Sequence, residues 1–532
     1  MISTIDIGMA FGQKVLFEHV SLRFTAGNCY GLIGANGTGK STFLKILTKE
    51  VEQTSGQVAL DPGKRMGWLR QDISGYDDQK VIDVAMRGNL ATSTIQAQMD
   101  ELYAKSDFTD ADGQRLAKLQ EQFESLDGYN QETAAAGVLT DLGIASALHQ
   151  KLMGEIDTAQ KVRVLLAQAV FSKPDILLLD EPTNNLDMPA IVWLENFLAD
   201  YEGCIIVVSH DRYFLNRVCT HTSDVDYKTI RTFAGPYDVY MAQEQLSRAL
   251  RSKESGRVER QVAKLKLFVE RFKSNAARSK QATSRVKMID ALTQQKVVPS
   301  SRVAPRLHFK LAKPSGQDVI KLENVTFRHP GGDRDIVKNF TTRLDRGDRL
   351  AIVGPNGIGK TTLVRLLMQE LTPTSGTIAW GQTTTRGYFP QEGAHLFQKK
   401  DLSIMDWIKQ FTENQDINNM RSMLGRMLFS GDDVKKLVGV LSGGERVRCL
   451  LSMVMLQEAN VLVLDEPTSH LDLESIEALQ EALEDYQGTL VFVSHDREFV
   501  DDLATRVIVL DEKGLTDWKG AYRDFRAARG LA

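Results

Sequence analysis

Residues 441–445 read Leu441-Ser442-Gly443-Gly444-Glu445, and after a short apolar strand the chain continues with Asp465-Glu466-Pro467-Thr468. A serine and two glycines at the start of a helix leave its amides and its positive dipole end open to a phosphate. The loop that belongs with such a phosphate, residues 354–361, lies upstream, and the acidic pair follows 23 residues after the serine. Each half of the predicted site must therefore be completed by residues from elsewhere in the chain.

The chain contains this set of motifs twice. Gly34-Ala35-Asn36-Gly37-Thr38-Gly39-Lys40-Ser41 repeats as Gly354-Pro355-Asn356-Gly357-Ile358-Gly359-Lys360-Thr361. A glutamine follows each lysine by 31 residues, and a histidine follows each strand-ending aspartate by 30. Equal offsets predict one α/β domain present in two copies, over residues 1–240 and 319–532. The first copy carries about 35 extra residues after its glutamine.

The composition is that of an ordinary globular protein. A length of 532 residues suits two α/β domains with additions. No apolar run approaches the ~20 residues of a membrane helix, and the N-terminal residues lack the features of a signal peptide, so we expect a cytoplasmic location without a membrane domain. The four cysteines have no CxxC spacing, which argues against a metal or iron–sulfur site and favours buried, reduced thiols.

The glycine-rich loops predict two nucleotide sites, because each follows an apolar strand and opens a helix. Loop amides would hold the phosphates of ATP, the lysine would neutralise them, and the Ser41 or Thr361 hydroxyl would bind Mg²⁺. Phe11 and His329 occupy the matching positions for stacking on adenine; for Phe11, packing beside a turn is an equally good interpretation. The predicted ATP-binding residues are Phe11, Gly34, Asn36, Gly37, Gly39, Lys40, Ser41, Thr42, Gln71, His329, Gly354, Asn356, Gly357, Gly359, Lys360, Thr361, Thr362, Gln391, Ser442, Gly443, Gly444 and Glu445.

Two acidic pairs, Asp180-Glu181 and Asp465-Glu466, end apolar strands, where carboxylates emerge at the ligand edge of an α/β sheet. We predict that Asp180 and Asp465 join Ser41 and Thr361 in binding Mg²⁺, and that Glu181 and Glu466 polarise the attacking water. His210 and His495 each follow the next apolar strand, and their recurrence favours a γ-phosphate contact over a structural role.

The first copy departs from the second at one motif. Residues 156–163, Ile-Asp-Thr-Ala-Gln-Lys-Val-Arg, align with residues 441–448 but lack Ser-Gly-Gly. Asp157 can cap the helix that follows, but its carboxylate would repel a γ-phosphate. The two nucleotide sites are therefore predicted to be unequal.

Two segments have no counterpart in the repeat. The insertion at about residues 88–128 shows apolar residues at helical spacing and predicts a helical hairpin, either a structural appendage or a contact site. Residues 241–318 form a linker whose apolar spacing predicts a second helical hairpin. From 246 to 287 it holds thirteen Lys/Arg against three Glu, a charge of +10 in a chain of net charge −4. This one-sided charge favours RNA-backbone binding over a solvated spacer. The candidate RNA contacts are Arg271, Lys273, Arg278, Lys280, Arg285 and Lys287.

These motifs resemble those of the ATP-binding cassette superfamily, and the tandem cassettes with a basic linker resemble its ABC-F family, most closely the YbiT branch. The predicted fold is therefore α/β, with two ABC-type P-loop domains in tandem joined by a basic α-helical hairpin. The resemblance implies an ATPase whose cassettes pair head to tail within a monomer, and a partner, the ribosome, bound at the E site with the linker toward 23S rRNA and the P-site tRNA.

Two other interpretations remain. One is a fused tandem ATPase subunit of a membrane importer, which has a similar length. The other is a DNA-repair or chromosome ATPase, for which we would expect a much longer coiled coil or zinc-binding cysteines, and the sequence shows neither. In a head-to-tail pair, Ser442, Gly443 and Gly444 would complete the site of Lys40, whereas Asp157 would face the site of Lys360.

Overall fold

The computed structural model describes residues 1–12, 14–69, 75–105, 107–171, 173–184, 186–272, 284, 288–289, 300, 302–332, 334–391, 393–412, 416–511 and 514–529. Within these residues the two predicted copies have the same architecture. Each has a six-stranded, mostly parallel sheet and a separate three-stranded antiparallel sheet.

The strands of the first copy form sheets in the orders β5-β6-β7-β3-β8-β9 and β2-β1-β4. Their bounds are β1 Ile2–Phe11, β2 Lys14–Phe24, β3 Cys29–Ile33, β4 Ser55–Leu60, β5 Met66–Leu69, β6 Ile176–Asp180, β7 Cys204–Val208, β8 His221–Asp226 and β9 Thr229–Ala234. The helices are α1 Lys40–Leu47, α2 Val81–Met86, α3 Leu90–Tyr103, α4 Asp110–Ser125, α5 Gln131–Asp141, α6 Thr158–Phe171, α7 Met188–Ala199, α8 Arg212–Val218 and α9 Tyr237–Phe272.

The second copy repeats this plan, with sheet orders β14-β15-β16-β12-β17-β18 and β11-β10-β13. Its strands are β10 Asp318–Arg328, β11 Asp335–Asp345, β12 Arg349–Val353, β13 Ser375–Trp380, β14 Arg386–Phe389, β15 Val461–Asp465, β16 Thr489–Val493, β17 Arg506–Asp511 and β18 Gly514–Lys519. Its helices are α10 Lys360–Leu367, α11 Ile404–Ile408, α12 Ile417–Arg426, α13 Gly443–Leu456, α14 Leu473–Glu484, α15 Arg497–Leu503 and α16 Tyr522–Arg529.

The central strands explain where the site lies. Every residue of β3, β6 and β7 is buried, as expected for parallel strands covered on both faces. β7 pairs in parallel with both β6 and β3. The phosphate loop, the acidic pair and His210 follow the carboxyl ends of these three neighbours, so one edge of the sheet collects all of them.

The insertion forms the predicted pair of helices. Met99 and Leu102 of α3 pack against Leu119 and Phe123 of α4 in a small apolar cluster of their own. Thr109 caps α4, which begins at Asp110. The hairpin therefore has an apolar core separate from those of the two cassettes.

The linker begins as one long helix, α9, which has 36 residues and continues directly from the first copy. The turn and most of the predicted return helix fall on residues 273–283, 285–287 and 290–299, which lie outside the described residues. The hairpin form of the linker therefore stays a prediction. In the described part of the chain, every helix is too short or too polar to cross a membrane.

Candidate functional site

The first phosphate loop runs from the buried strand β3 into α1. Gly39, directly before the helix, has φ of +104°, a conformation that side chains with a Cβ rarely adopt. The Lys40 ammonium is buried and donates hydrogen bonds to the carbonyls of Gly34 (2.7 Å) and Ala35 (3.3 Å). Burial lowers the pKa of Lys40, and the nearby Glu181 carboxylate opposes that shift. The loop thus holds a cation at its centre, as phosphate binding requires.

The predicted metal ligands lie together at each site. Asp180 is buried at the end of β6, where burial raises its pKa and a hydrogen bond from Ser41 lowers it. Among the residues that the structure describes, the buried Oδ1 of Asp180 and both carboxylate oxygens of Asp465 have no hydrogen-bond partner. Oxygen ligands left open beside a hydroxyl and a phosphate loop fit Mg²⁺, which binds through one or two carboxylates plus phosphate oxygens and water. Burial also raises the pKa of Asp465 to about 6.

The two candidate bases have closely matched surroundings. Burial raises the pKa of Glu181 to about 7, and the same holds for Glu466. His210 Nε2 lies 3.2 Å from Glu181 Oε1, and His495 Nε2 lies 3.4 Å from Glu466 Oε1. Burial and the charge of the loop lysine lower the pKa of each histidine to about 3, so both imidazoles are neutral at pH 7. A carboxyl poised near neutrality is suited to accept a proton from water.

Both glutamates also share an unusual backbone. The φ angle is +52° at Glu181 and +53° at Glu466, a region that side chains with a Cβ seldom occupy. Such strain persists only where the surrounding structure fixes it, and it concentrates at functional sites. Each glutamate amide donates to the end of the neighbouring strand, at Val208 or Val493. The strand ends therefore hold the carboxylates in place.

The tip of α13 reaches the first phosphate loop from the other cassette. A cavity of about 770 Å³ is lined by Lys40, Ser41 and Glu181 together with Ser442, Gly443 and Gly444. A Cβ built on Gly444 would lie 3.3 Å from the Asn36 side-chain amide and 3.1 Å from the His470 carbonyl. The glycine therefore permits the close approach of the two cassettes, which meet head to tail in this structure.

A backbone hydrogen bond joins each phosphate loop to an aspartate of the opposite cassette. The backbone amide of Asn36 donates to Asp472 Oδ2 (3.0 Å), and the backbone amide of Asn356 donates to Asp187 Oδ2 (3.1 Å). We did not predict either aspartate from the sequence. The repeat offers a signal, because each lies seven residues after the strand-ending aspartate of its own copy.

The phosphate loop of the second site shares the pattern of the first, and Asp157 marks the motif in which the first copy departs from the second. Lys360 donates to the carbonyls of Gly354 and Pro355 (both 3.0 Å), and the Thr361 hydroxyl donates to Gln391 Oε1 (3.0 Å). Asp157 caps α6 by accepting a hydrogen bond from the Gln160 amide (2.8 Å), as its sequence position predicted.

Arg163, which follows in α6, forms a buried ion pair with Asp187 (3.0 Å). Asp187 is the residue that contacts the second phosphate loop, so the arginine supports that contact from within its own cassette. We did not predict this role from the sequence.

The remaining predicted ATP contacts vary in their surroundings. Phe11 is exposed at the end of β1 and lines the cavity of Lys40. His329 Nε2 lies 3.4 Å from the Thr362 hydroxyl. The Glu445 carboxylate accepts hydrogen bonds from the amide and hydroxyl of Ser442 and from Lys436, so it caps its own helix.

Some predictions fall outside the described residues. Gln71 is among them, as are Lys273, Arg278, Lys280, Arg285 and Lys287. Arg271 lies within α9, but its side chain is not described. These ATP and RNA contacts stay predictions.

Comparison with known proteins gives consistent matches. A family model described as "ABC transporter" matches residues 17–184 and 337–469, and a second model of that description matches residues 223–309. The chain is 44% identical over 526 residues to the uncharacterized ABC transporter ATP-binding protein YkpA of Bacillus subtilis, covering 99% of this chain and 97% of the relative. It is 43% identical to the probable ATP-binding protein YbiT of Escherichia coli O157:H7, over the full length of both.

Among solved structures, the chain is similar to archaeal ribosome recycling factor aABCE1 in its complex with the ribosomal stalk protein aP1. The TM-score is 0.63 at 18% identity, over 99% of this chain and 92% of that one. A structure described as RNase-L Inhibitor gives the same TM-score and identity, over 99% and 93%. At this identity the likeness shows the fold, two P-loop ATPase domains in tandem.

Proposed function

Because this chain belongs to the ABC-F family of ATP-binding cassette proteins, we propose that it is a cytoplasmic ATPase that binds the ribosome and regulates translation. ATP closes two head-to-tail sites between the cassettes, and hydrolysis to ADP and phosphate reopens them. The observation that carries the proposal is the cavity that Lys40 and Glu181 share with Ser442, Gly443 and Gly444.

In this proposal each residue of the first site has one role. Ser41 and Asp180 would hold Mg²⁺, which would neutralise charge on the phosphates. Glu181 orients the attacking water and accepts its proton. Neutral His210 donates a hydrogen bond toward the γ-phosphate, and Lys40 turns from its loop carbonyls to the phosphate oxygens. Thr361, Asp465, Glu466, His495 and Lys360 take the same roles at the second site.

Hydrolysis is asymmetric in this proposal. The first site is completed by Ser442, Gly443 and Gly444, whose helix end attracts the γ-phosphate. The second faces Asp157 and Ala159, so a carboxylate and a Cβ stand where the other site has a hydroxyl and a bare backbone. The second site therefore binds ATP but closes less tightly around it.

The basic linker supplies the proposed contact with RNA. Its thirteen Lys/Arg between residues 246 and 287 concentrate positive charge in a chain that is otherwise acidic. A concentration of positive charge in one short segment suits a phosphate backbone, and by resemblance to the family that backbone belongs to 23S rRNA and the P-site tRNA. ATP binds the closed form better and so stabilises the ribosome-bound state.

The fused ATPase subunit of a membrane importer is the alternative. Such a subunit needs paired cassettes, but it has no use for a linker segment of charge +10. A gene for a membrane-spanning partner beside this one would favour the importer.

Sedimentation separates the two functions. A Glu181→Gln/Glu466→Gln double variant, which should stay closed on ATP, is expected to co-sediment with 70S ribosomes when ATP is present. The same variant with Arg278, Arg285 and Lys280 changed to alanine should remain in the supernatant. Failure of the first variant to co-sediment with ribosomes would contradict the proposal.

A further inference from the structure

A buried arginine lies near the C-terminal end of the linker, at the boundary between the cassettes. The side chain of Arg302 is only 2% exposed and faces three carboxylates. Asp224 and Asp226 belong to β8 of the first cassette, and Glu474, 2.6 Å away, belongs to α14 of the second. A buried guanidinium at this position therefore joins the linker to both cassettes.

Both ends of the linker meet at this arginine. Tyr240, in the first turn of α9, donates from its hydroxyl to Asp224 Oδ2 (2.8 Å), and its ring lies 5.8 Å below the Arg302 guanidinium. Ser300, at the return end, donates to Asp226 Oδ2. The linker root is thus fixed to β8 from both directions.

The repeat shows that these groups are not a general feature of the cassette. Strands β8 and β17 align residue for residue, and the position of Asp224 is Val509 in the second copy. Tyr240 corresponds to Phe525, and Glu474 corresponds to Pro189. Asp224, Tyr240 and Glu474 are therefore replaced by apolar residues in the other copy, whereas Asp226 corresponds to Asp511.

The cluster touches the machinery of the first site. Glu474 lies two residues after Asp472, whose carboxylate accepts the hydrogen bond from the Asn36 amide in the first phosphate loop. The positive charge of Arg302 also contributes to the lowered pKa of His210. A short series of contacts thus runs from the linker root through α14 to the phosphate loop.

We propose that Arg302 is a positioning residue that couples the linker root to closure of the Lys40 site, through its ion pair with Glu474. Separation of the cassettes on this side would break the buried ion pair between Arg302 and Glu474. The pair therefore makes the linker root and α14 move together. The proposal rests on ATP-driven closure, and its test measures closure without requiring hydrolysis.

Amide hydrogen exchange of residues 237–247, with and without the ATP analogue AMP-PNP, tests the coupling in the full chain. In the wild-type protein AMP-PNP should slow exchange in this segment at least about tenfold. Arg302→Lys keeps the charge but loses the planar, forked geometry, and Glu474→Gln removes the negative charge that pairs with Arg302 across the cassettes. Both variants should lose most of this protection, and the double variant should lose no more than either alone.

Arg506→Lys is the matched control, because Arg506 is buried against Asp517 and Asp348 within the second cassette, away from the linker. It should keep the wild-type protection. Equal protection by AMP-PNP in Glu474→Gln and in the wild type would overturn the coupling. Loss of protection in Arg506→Lys would also overturn it, as would a wild-type protein in which AMP-PNP gives no protection. A wild-type protein that shows this protection but hydrolyses no ATP would instead contradict the proposed ATPase activity.

Discussion

Replacing one candidate base at a time measures how unequal the two nucleotide sites are. Glu181 and Glu466 match in pKa, backbone angle and distance to histidine. A difference between Glu181→Gln and Glu466→Gln therefore cannot come from the bases. In the proposed arrangement it comes from what faces each phosphate loop: Ser442 and its glycines at the first site, and Asp157 with its neighbours at the second.

The structure gives a magnitude for that difference. A lost hydrogen bond to a charged phosphate costs about 1.5–3 kcal/mol, and a carboxylate near the phosphate adds repulsion on the order of 1 kcal/mol at a partly solvated distance. Together these amount to about 3 kcal/mol, or roughly a hundredfold in rate. Glu181→Gln should then lower turnover about a hundredfold, to the rate of the second site, whereas Glu466→Gln should leave it almost unchanged.

Phosphate release at saturating ATP is the assay, with the melting temperature of each variant as the check on folding. A restored variant, Asp157→Ser/Thr158→Gly/Ala159→Gly, provides the matched control. In the Glu181→Gln background it should raise the residual turnover, because the second site then has a full helix tip opposite its phosphate. Equal losses in the two single variants would refute the asymmetry.

Three further predictions follow from the contacts described. Because the pKa of Glu181 is raised to about 7, kcat/KM for ATP should rise with pH through about 7, as the carboxyl loses its proton, and then level off. A profile that is flat from pH 5.5 to 8.5 would contradict the role of Glu181 as base. Gly444→Val would force a side chain against Asn36 and should raise the ATP concentration for half-maximal turnover by about 5- to 100-fold, with a normal melting temperature; unchanged ATP dependence would contradict the close approach. Arg163→Met leaves the Asp187 carboxylate buried without its cation and should lower the free energy of unfolding by about 3–5 kcal/mol, measured by denaturant titration; an unchanged midpoint would show the pair to be dispensable.

Much of this architecture follows from local sequence. The phosphate loops, the buried strands before Asp180 and Asp465, and the helical hairpin of the insertion lie where their patterns predicted, because glycine spacing and apolar runs act over short distances. The residues alone indicated that neither the loop at Lys40 nor the helix tip at Ser442 is a complete site, whereas the head-to-tail pairing was implied by the resemblance to the ABC-F family.

Other features depend on contacts between distant segments. The ion pair of Arg163 with Asp187, and the approach of Arg302 to Glu474, join residues 24 and 172 positions apart, and no local pattern marks either one. The strained backbone at Glu181 is likewise set by the neighbouring strand and not by its own sequence. Sequence periodicity is insensitive to such features because it describes each element by itself.

The length of α9 determines how far its distal end would move when the cassettes rotate. With a rise of about 1.5 Å per residue, its 36 residues make a rod of roughly 54 Å. A swing of only ~10° at its base would carry the far end of such a rod by about 9 Å, an amplification that follows from its length alone. Small rotations of the cassettes at the ATP sites would thereby displace the far end of α9 by a distance as large as one nucleotide of a nucleic acid.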